Sequence, residues 1–211
     1  MTANTTNPRR GSGRPRGGAA SVRDALLRAG ATHFSASGYA GASTRGILAD
    51  AGATAPALYH HFGNKTGLYI AAAAAAQEHV LNTFTEAIAG HQTIAQRVSA
   101  LLTAATLLRR EHPNVAKYLS VVQQDVSRHP DLSELTCYEA RFDIFWQAVV
   151  DDAQSRIGLA FGLRALVEGL LAVGGARVGD EAIASAAAAL QDITQTGLDA
   201  LPHRSKGKPQ W

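Results

Sequence analysis

Beyond residue 20 the apolar positions recur at helical spacing, and no stretch alternates apolar with polar as a half-buried strand does. Leu27, Ala31 and Phe34 fall at i, i+4 and i+7, which predicts a first helix capped by Ser21 and stopped after Ser37 by Gly38. A second, short helix starts at Ser43 or Thr44 and ends by Ala51 and Gly52. A third follows a cap at Thr54, holds Pro56 in its first turn, where a missing N–H costs nothing, and stops at Gly63. Asn64 caps a long helix that runs through the alanines at 71–76 to a stop at Gly90. Further helices are predicted over 93–111 and 114–126. Another spans 131–152, where Leu135, Tyr138, Phe142, Phe145 and Val149 share one face. An apolar helix over 155–173 follows, and Asp180 caps a last one carrying Ile183, Leu190, Ile193 and Leu201. Nine helices and no strand, with 41 alanines to favour helix, predict an all-α fold.

Composition narrows the class. With 46% hydrophobic and 18% charged residues, the 211-residue chain can bury a core of one or two domains. No apolar run approaches the roughly 20 residues that span a bilayer. The polar, basic stretch from Met1 to Gly18 lacks the apolar segment of a secretory signal, so a soluble cytoplasmic protein is expected. The single Cys137 excludes an intramolecular disulfide and a cysteine-based zinc site.

Charge changes the picture more. Up to Lys65 there are eight bases against two acids, and after it 12 bases against 15 acids. A basic first third suits a polyanion, whereas the remainder has no electrostatic reason to touch one. A solvated basic tail on an ordinary domain would give the same numbers. The expected organisation is a disordered basic arm over 1–20, a first domain over 21–65, a second over 66–201 and a flexible basic tail over 202–211.

The stretch 43–62, STRGILADAGATAPALYHHF, reads as a helix, a turn at Gly52 and a second helix. Ile47 and Ala51 give the first a buried seam; Leu58 and Phe62 give one to the second. This is the helix-turn-helix arrangement that places its second helix in the major groove of DNA. At about 100° per residue, Ala55 and Phe62 fall beside Leu58 on the buried face. Pro56 and His60 point away, Tyr59 and Ala57 flank them, and His61 lies nearer the core edge. Pro56 and Ala57 can touch a thymine methyl, whereas Arg45 is the one guanidinium in the motif able to read guanine. Tyr59, Lys65 and the first-turn N–H groups suit phosphate. The plainer readings are that Tyr59 caps the core edge, which a DNA contact outweighs, and that His61 bonds a backbone carbonyl.

From Val22 to Tyr69 the chain resembles the DNA-binding domain of the TetR family of bacterial transcriptional regulators. The resemblance rests on Phe34, Gly38-Tyr39, Ser43-Thr44, Ile47, Ala51-Gly52, Leu58-Tyr59, His61-Phe62, Lys65 and Leu68, all in order and at the family's spacing. It implies DNA contacts at Thr44, Arg45, Thr54, Pro56, Ala57, Tyr59, His60, His61 and Lys65. Beside such a motif, Arg14 and Arg16 in the basic arm suit a narrow minor groove. Gly46, Leu48 and Gly67 depart from the family's usual residues. Gly46 should loosen its helix by about 1 kcal/mol relative to alanine, and Leu48 should widen the packing between the two helices.

The resemblance further implies a second domain for dimerisation and ligand binding. Gly158, Gly162 and Gly169, with Ala186, Leu190, Ile193 and Gly197, would let two helices per subunit form a four-helix dimer interface. The same glycines could serve packing within the chain. Tyr118, Gln123, Tyr138, Arg141, Phe142, Phe145, Trp146 and Phe161 are candidates to line a pocket for a small apolar or aromatic effector, or else belong to an ordinary core. No cofactor or metal is expected: His60 and His61 point about 100° apart, no phosphate-cradling glycine loop is present, and Cys137 has no histidine at readable spacing. The implied function is a dimeric, ligand-responsive repressor on a palindromic operator rather than an enzyme. Control by a protein partner, or an activator role, would leave the same first domain.

Overall fold

The structure, a computed structural model, describes residues 21–150, 157–172 and 179–199. Over these residues the fold is all-α. The helices are α1 (Val22–Gly41), α2 (Thr44–Ala51), α3 (Ala55–Phe62), α4 (Lys65–Ile88), α5 (Ile94–Glu111), α6 (Pro113–Arg128), α7 (Thr136–Val149), α8 (Ile157–Ala172) and α9 (Asp180–Asp199). A 3₁₀ helix, Pro130–Leu135, precedes α7.

Local chemistry sets most boundaries. Ser21, Ser43 and Asn64 each accept a hydrogen bond from the N–H three residues on, satisfying orphan donors at the starts of α1, α2 and α4. Thr93 and Gln96 form a reciprocal capping box on α5. Gly52 ends α2 in the left-handed conformation.

Four expectations change. Gly38 interrupts α1 at φ +68°, ψ −180°, a glycine-only region, but one more turn follows it to Gly41. The buried face of α1 centres on Leu26, Gly30 and Phe34, with Leu27 and Ala31 at its edge. The helix expected over 131–152 is split into the 3₁₀ turn and α7, because Leu132 and Leu135 turn towards the amino-terminal core while α7 faces the other. Asp180 lies inside the first turn of α9, whose first hydrogen bond runs from Ile183 N–H to the Gly179 carbonyl. Leu201 and the expected arm and tail lie outside the described residues.

Two cores share α4, which at 24 residues is about 36 Å long. The amino-terminal core joins Leu26, Phe34, Ile47 and Leu58 to Leu68 and Tyr69 of α4. It also takes in Tyr118 and Val122 of α6, so its packing continues past Lys65. The second core gathers Val80 and Phe84 from α4 with α5, α7, α8 and α9. Each fully buried Leu, Ile or Phe stabilises the fold by about 1.5–3 kcal/mol.

Candidate nucleic-acid interface

Helix α3 is held by Leu58, which is 1% exposed, and by half-buried Phe62 packed on the same core. Its other side is open. Ala55, Pro56, Tyr59, His60 and His61 are exposed, Tyr59 at 62%. Two residues differ from the helical-wheel reading. Ala55 is exposed because it sits in the first turn, ahead of the residues that the core covers; Ala57 is half-buried. His61 is exposed instead of lying at the core edge, with its ring 5.1 Å from that of His60. Thr54 occupies the N-cap position but makes no side-chain bond there, so the first-turn N–H groups have no side-chain cap. On α2, Arg45 is exposed and Thr44 half-buried.

Lys65 is drawn inward. Its ammonium donates to the Ala40 carbonyl at 3.2 Å and lies 5.2 Å from the centre of the Tyr39 ring, and burial pushes its pKa below the usual lysine range. Tyr39 also bonds Thr66 through its hydroxyl at 2.7 Å, and its N–H donates to Asp125 of α6 at 2.7 Å. Asp125 further accepts from the Tyr69 hydroxyl at 2.8 Å, and the Tyr118 hydroxyl donates to the Tyr69 carbonyl at 2.9 Å. Burial, then the Asp125 hydrogen bond, raises the Tyr69 pKa, keeping it a donor. The end of α1, the start of α4 and α6 therefore meet in one buried polar knot behind the helix-turn-helix.

At two unusual glycines an added Cβ would come too close to a neighbour. A Cβ on Gly46 would stand 2.9 Å from the ring of His33, which reaches across to Asp50 at 2.7 Å. One on Gly67 would lie 1.9 Å from the Phe62 carbonyl oxygen. His33 lies 13 residues from Gly46, so the reading of Gly46 as merely loosening its helix missed that contact. Arg14 and Arg16 lie outside the described residues.

In the second domain, a cleft between α4, α6, α7 and α8 holds a cavity of about 70 Å³, room for a few waters or a small group. Of the eight expected lining residues, only Gln123 and Phe142 reach it. Tyr118 is fully buried against the amino-terminal core, and Tyr138 packs on that same core. Phe145 and Trp146 are buried among Phe84 and their neighbours. Arg141 is exposed and pairs with Glu78 at 3.0 Å, and Phe161 is 72% exposed. Unforeseen were Gln77, Glu139, Arg164 and Glu168, whose polar ends face the cavity from different helices. Arg164 and Glu168 stand at i, i+4 on α8, but no sequence period links them to Gln77 on α4 or Glu139 on α7.

Among the described residues a Cβ added at Gly158, Gly162, Gly169 or Gly197 would meet nothing within 4 Å, so packing among these residues does not require the glycines. Ala186, Ile193 and Gly197 are exposed on α9, whereas Leu190 is half-buried against the second core. Ile157 and Phe161 stand out from α8 beside Gly158 and Gly162. Among the described residues no helix is long and apolar enough to cross a membrane, and no group of three or more His, Cys, Asp or Glu is placed to hold a metal ion.

Residues 26–72 match the family described as bacterial regulatory proteins, tetR family. No protein of curated function matches the sequence. Among solved structures, GusR of Salmonella enterica is 23% identical with a TM-score of 0.66, over 85% of this chain and 96% of that one. A TetR-family regulator from Rhodococcus sp. is 23% identical with a TM-score of 0.65, over 82% and 98%. The ketosteroid transcriptional regulator KstR2 of Mycobacterium tuberculosis is 18% identical with a TM-score of 0.65, over 88% and 98%. At these identities the likeness is one of fold. Residues 26–72 thus match the helix-turn-helix domain of the tetR family, and the described helices share the all-α fold of these regulators.

Proposed function

We propose that the protein is a ligand-responsive repressor that binds a palindromic operator as a homodimer in the cytoplasm. The observation that carries the DNA reading is the open face of α3, with Pro56, Tyr59, His60 and His61 exposed beside Arg45. Arg45 is the base reader and Tyr59 a phosphate contact; Thr44, Thr54, Ala57 and Lys65 complete the surface. Arg14 and Arg16 follow the minor groove.

The dimer reading rests on the exposed, small-residue faces of α8 and α9, where Gly158, Gly162, Ala186 and Gly197 would admit a second copy and Ile157, Phe161 and Ile193 would be buried. A twofold dimer presents two copies of α3 to two half-sites.

The effector is a small molecule with an apolar or aromatic body, lodged in the cavity against Phe84 and Phe142. Helix α6 contributes Ser120 and Gln123 to that cavity and Asp125 to the knot behind α3. A ligand that displaces α6 would therefore move the anchor of α1. Shifting the population from 99:1 competent to 1:99 takes about 5.5 kcal/mol of differential affinity.

The test is selection of binding sites from random duplex DNA by the purified protein at two salt concentrations. An inverted repeat and a steep salt slope are expected. Weak, salt-sensitive binding without enrichment would overturn sequence-specific regulation.

A further inference from the structure

The geometry points to a cation as the effector's head group: the cavity between α4, α6, α7 and α8 is built to take a protonated amine or amidinium carried on an apolar body. This deepens the ligand-responsive reading above and rests on it.

Arg164, on α8, is the only cation facing the cavity among the described residues that line it, and it is already committed. Its Nε donates to Glu168 at 2.8 Å, one Nη to Asp143 at 2.6 Å and the other to Glu139. Each nitrogen of the guanidinium thus faces a different carboxylate. A clamp between α7 and α8 alone would need one acid or two, whereas three carboxylates against one guanidinium leave negative charge in surplus. Glu139 and Glu168 both line the cavity and each uses one oxygen on Arg164, which leaves its other oxygen to accept.

Gln77 supplies an independent observation. It is 6% exposed, lines the same cavity from α4, and its Oε1 has no hydrogen-bond partner. A buried acceptor without a donor destabilises the fold, and a ligand bearing N–H groups would relieve that. Phe84 and Phe142 also line the cavity, and an aromatic ring attracts a cation, as the Arg164 guanidinium 5.8 Å from the Phe142 centre already shows. An anionic ligand would have to displace a carboxylate from Arg164 and then face the remaining two. Burial raises the Glu168 pKa against the pull of Arg164, and the charges of Glu139 and Asp143 add to the rise.

Calorimetry on the full-length protein with three matched series tests this: propyl and butyl ammonium ions, the corresponding alcohols and the corresponding carboxylates. The ammonium ions are expected to bind and the carboxylates not. Glu139→Gln and Glu168→Gln should each weaken ammonium binding by about tenfold to a hundredfold and leave alcohol binding unchanged. Gln77→Leu breaks no existing hydrogen bond at Oε1, so it keeps the fold while weakening ammonium binding several-fold. Carboxylates or alcohols binding as tightly as ammonium ions, or ammonium binding unchanged in the three variants, would overturn the cation site and leave the effector pocket standing. Silence from all three series at millimolar concentration overturns both. Ammonium binding with the expected variant pattern, but no release of the selected operator duplex, overturns only the ligand-responsive reading.

Discussion

The backbone N–H of Tyr39 donates to the Asp125 carboxylate at 2.7 Å, across 86 residues of sequence. The bond is made where Gly38 turns the chain at φ +68°, and a Cβ there would press on that carboxylate at 3.4 Å. Because Asp125 also receives the Tyr69 hydroxyl, one 7%-exposed side chain ties α6 to both helices that carry the DNA-binding domain. Asp125→Ala leaves two buried donors unpaired and is expected to cost about 3 kcal/mol in urea unfolding. A loss below about 0.5 kcal/mol would show that water replaces the carboxylate at no cost.

Arg45→Ala and Lys65→Ala should separate cleanly. Arg45 is exposed, so its loss should leave the melting midpoint unchanged while costing about 1–3 kcal/mol of operator affinity and relaxing specificity. Lys65→Ala removes the bond to the Ala40 carbonyl and the contact over Tyr39, so its midpoint should fall along with affinity for every DNA sequence. Equal losses on cognate and random DNA for Arg45→Ala would remove it from base reading.

Gly67→Ala tests a close approach invisible in sequence. An added methyl meets the Phe62 carbonyl oxygen at 1.9 Å, so the turn between α3 and α4 must shift. The expected loss is about 1–3 kcal/mol, outweighing the helix propensity gained. A more stable variant would mean that the turn relaxes freely.

Gly162→Leu addresses the dimer. Its site is open among the described residues, so the fold should survive, but a side chain there would hold two copies apart. Sedimentation should show a dimeric parent and a monomeric variant; a dimeric variant would place the interface elsewhere.

The raised pKa of Glu168 has a consequence for stability. A carboxyl raised in the folded state contributes stability below its ordinary value, near 4.5, and loses it as pH rises through the folded value. Glu168→Gln should therefore gain on the parent protein in melting midpoint from pH 4 to pH 7. A difference independent of pH would mean that Arg164 fully offsets burial.

Sequence by itself determined the helices and the motif. Ser21, Ser43 and Asn64 cap where they stand, and Leu58 beneath Tyr59 orients α3, because caps and helical faces depend on neighbours within about four residues. Tertiary structure alone decided the rest. Glu139 and Arg164 lie 25 residues apart, Tyr39 and Asp125 86, and no local pattern couples such pairs. Aromatic residues in the second domain looked like a pocket from their composition, but burial sent Phe145 and Trp146 into the core, and the cavity is lined by Phe84 and Phe142 together with Gln77 and a cluster of charges. Apolar side chains are interchangeable in a sequence pattern, and only packing chooses which of them fill space and which are left lining it.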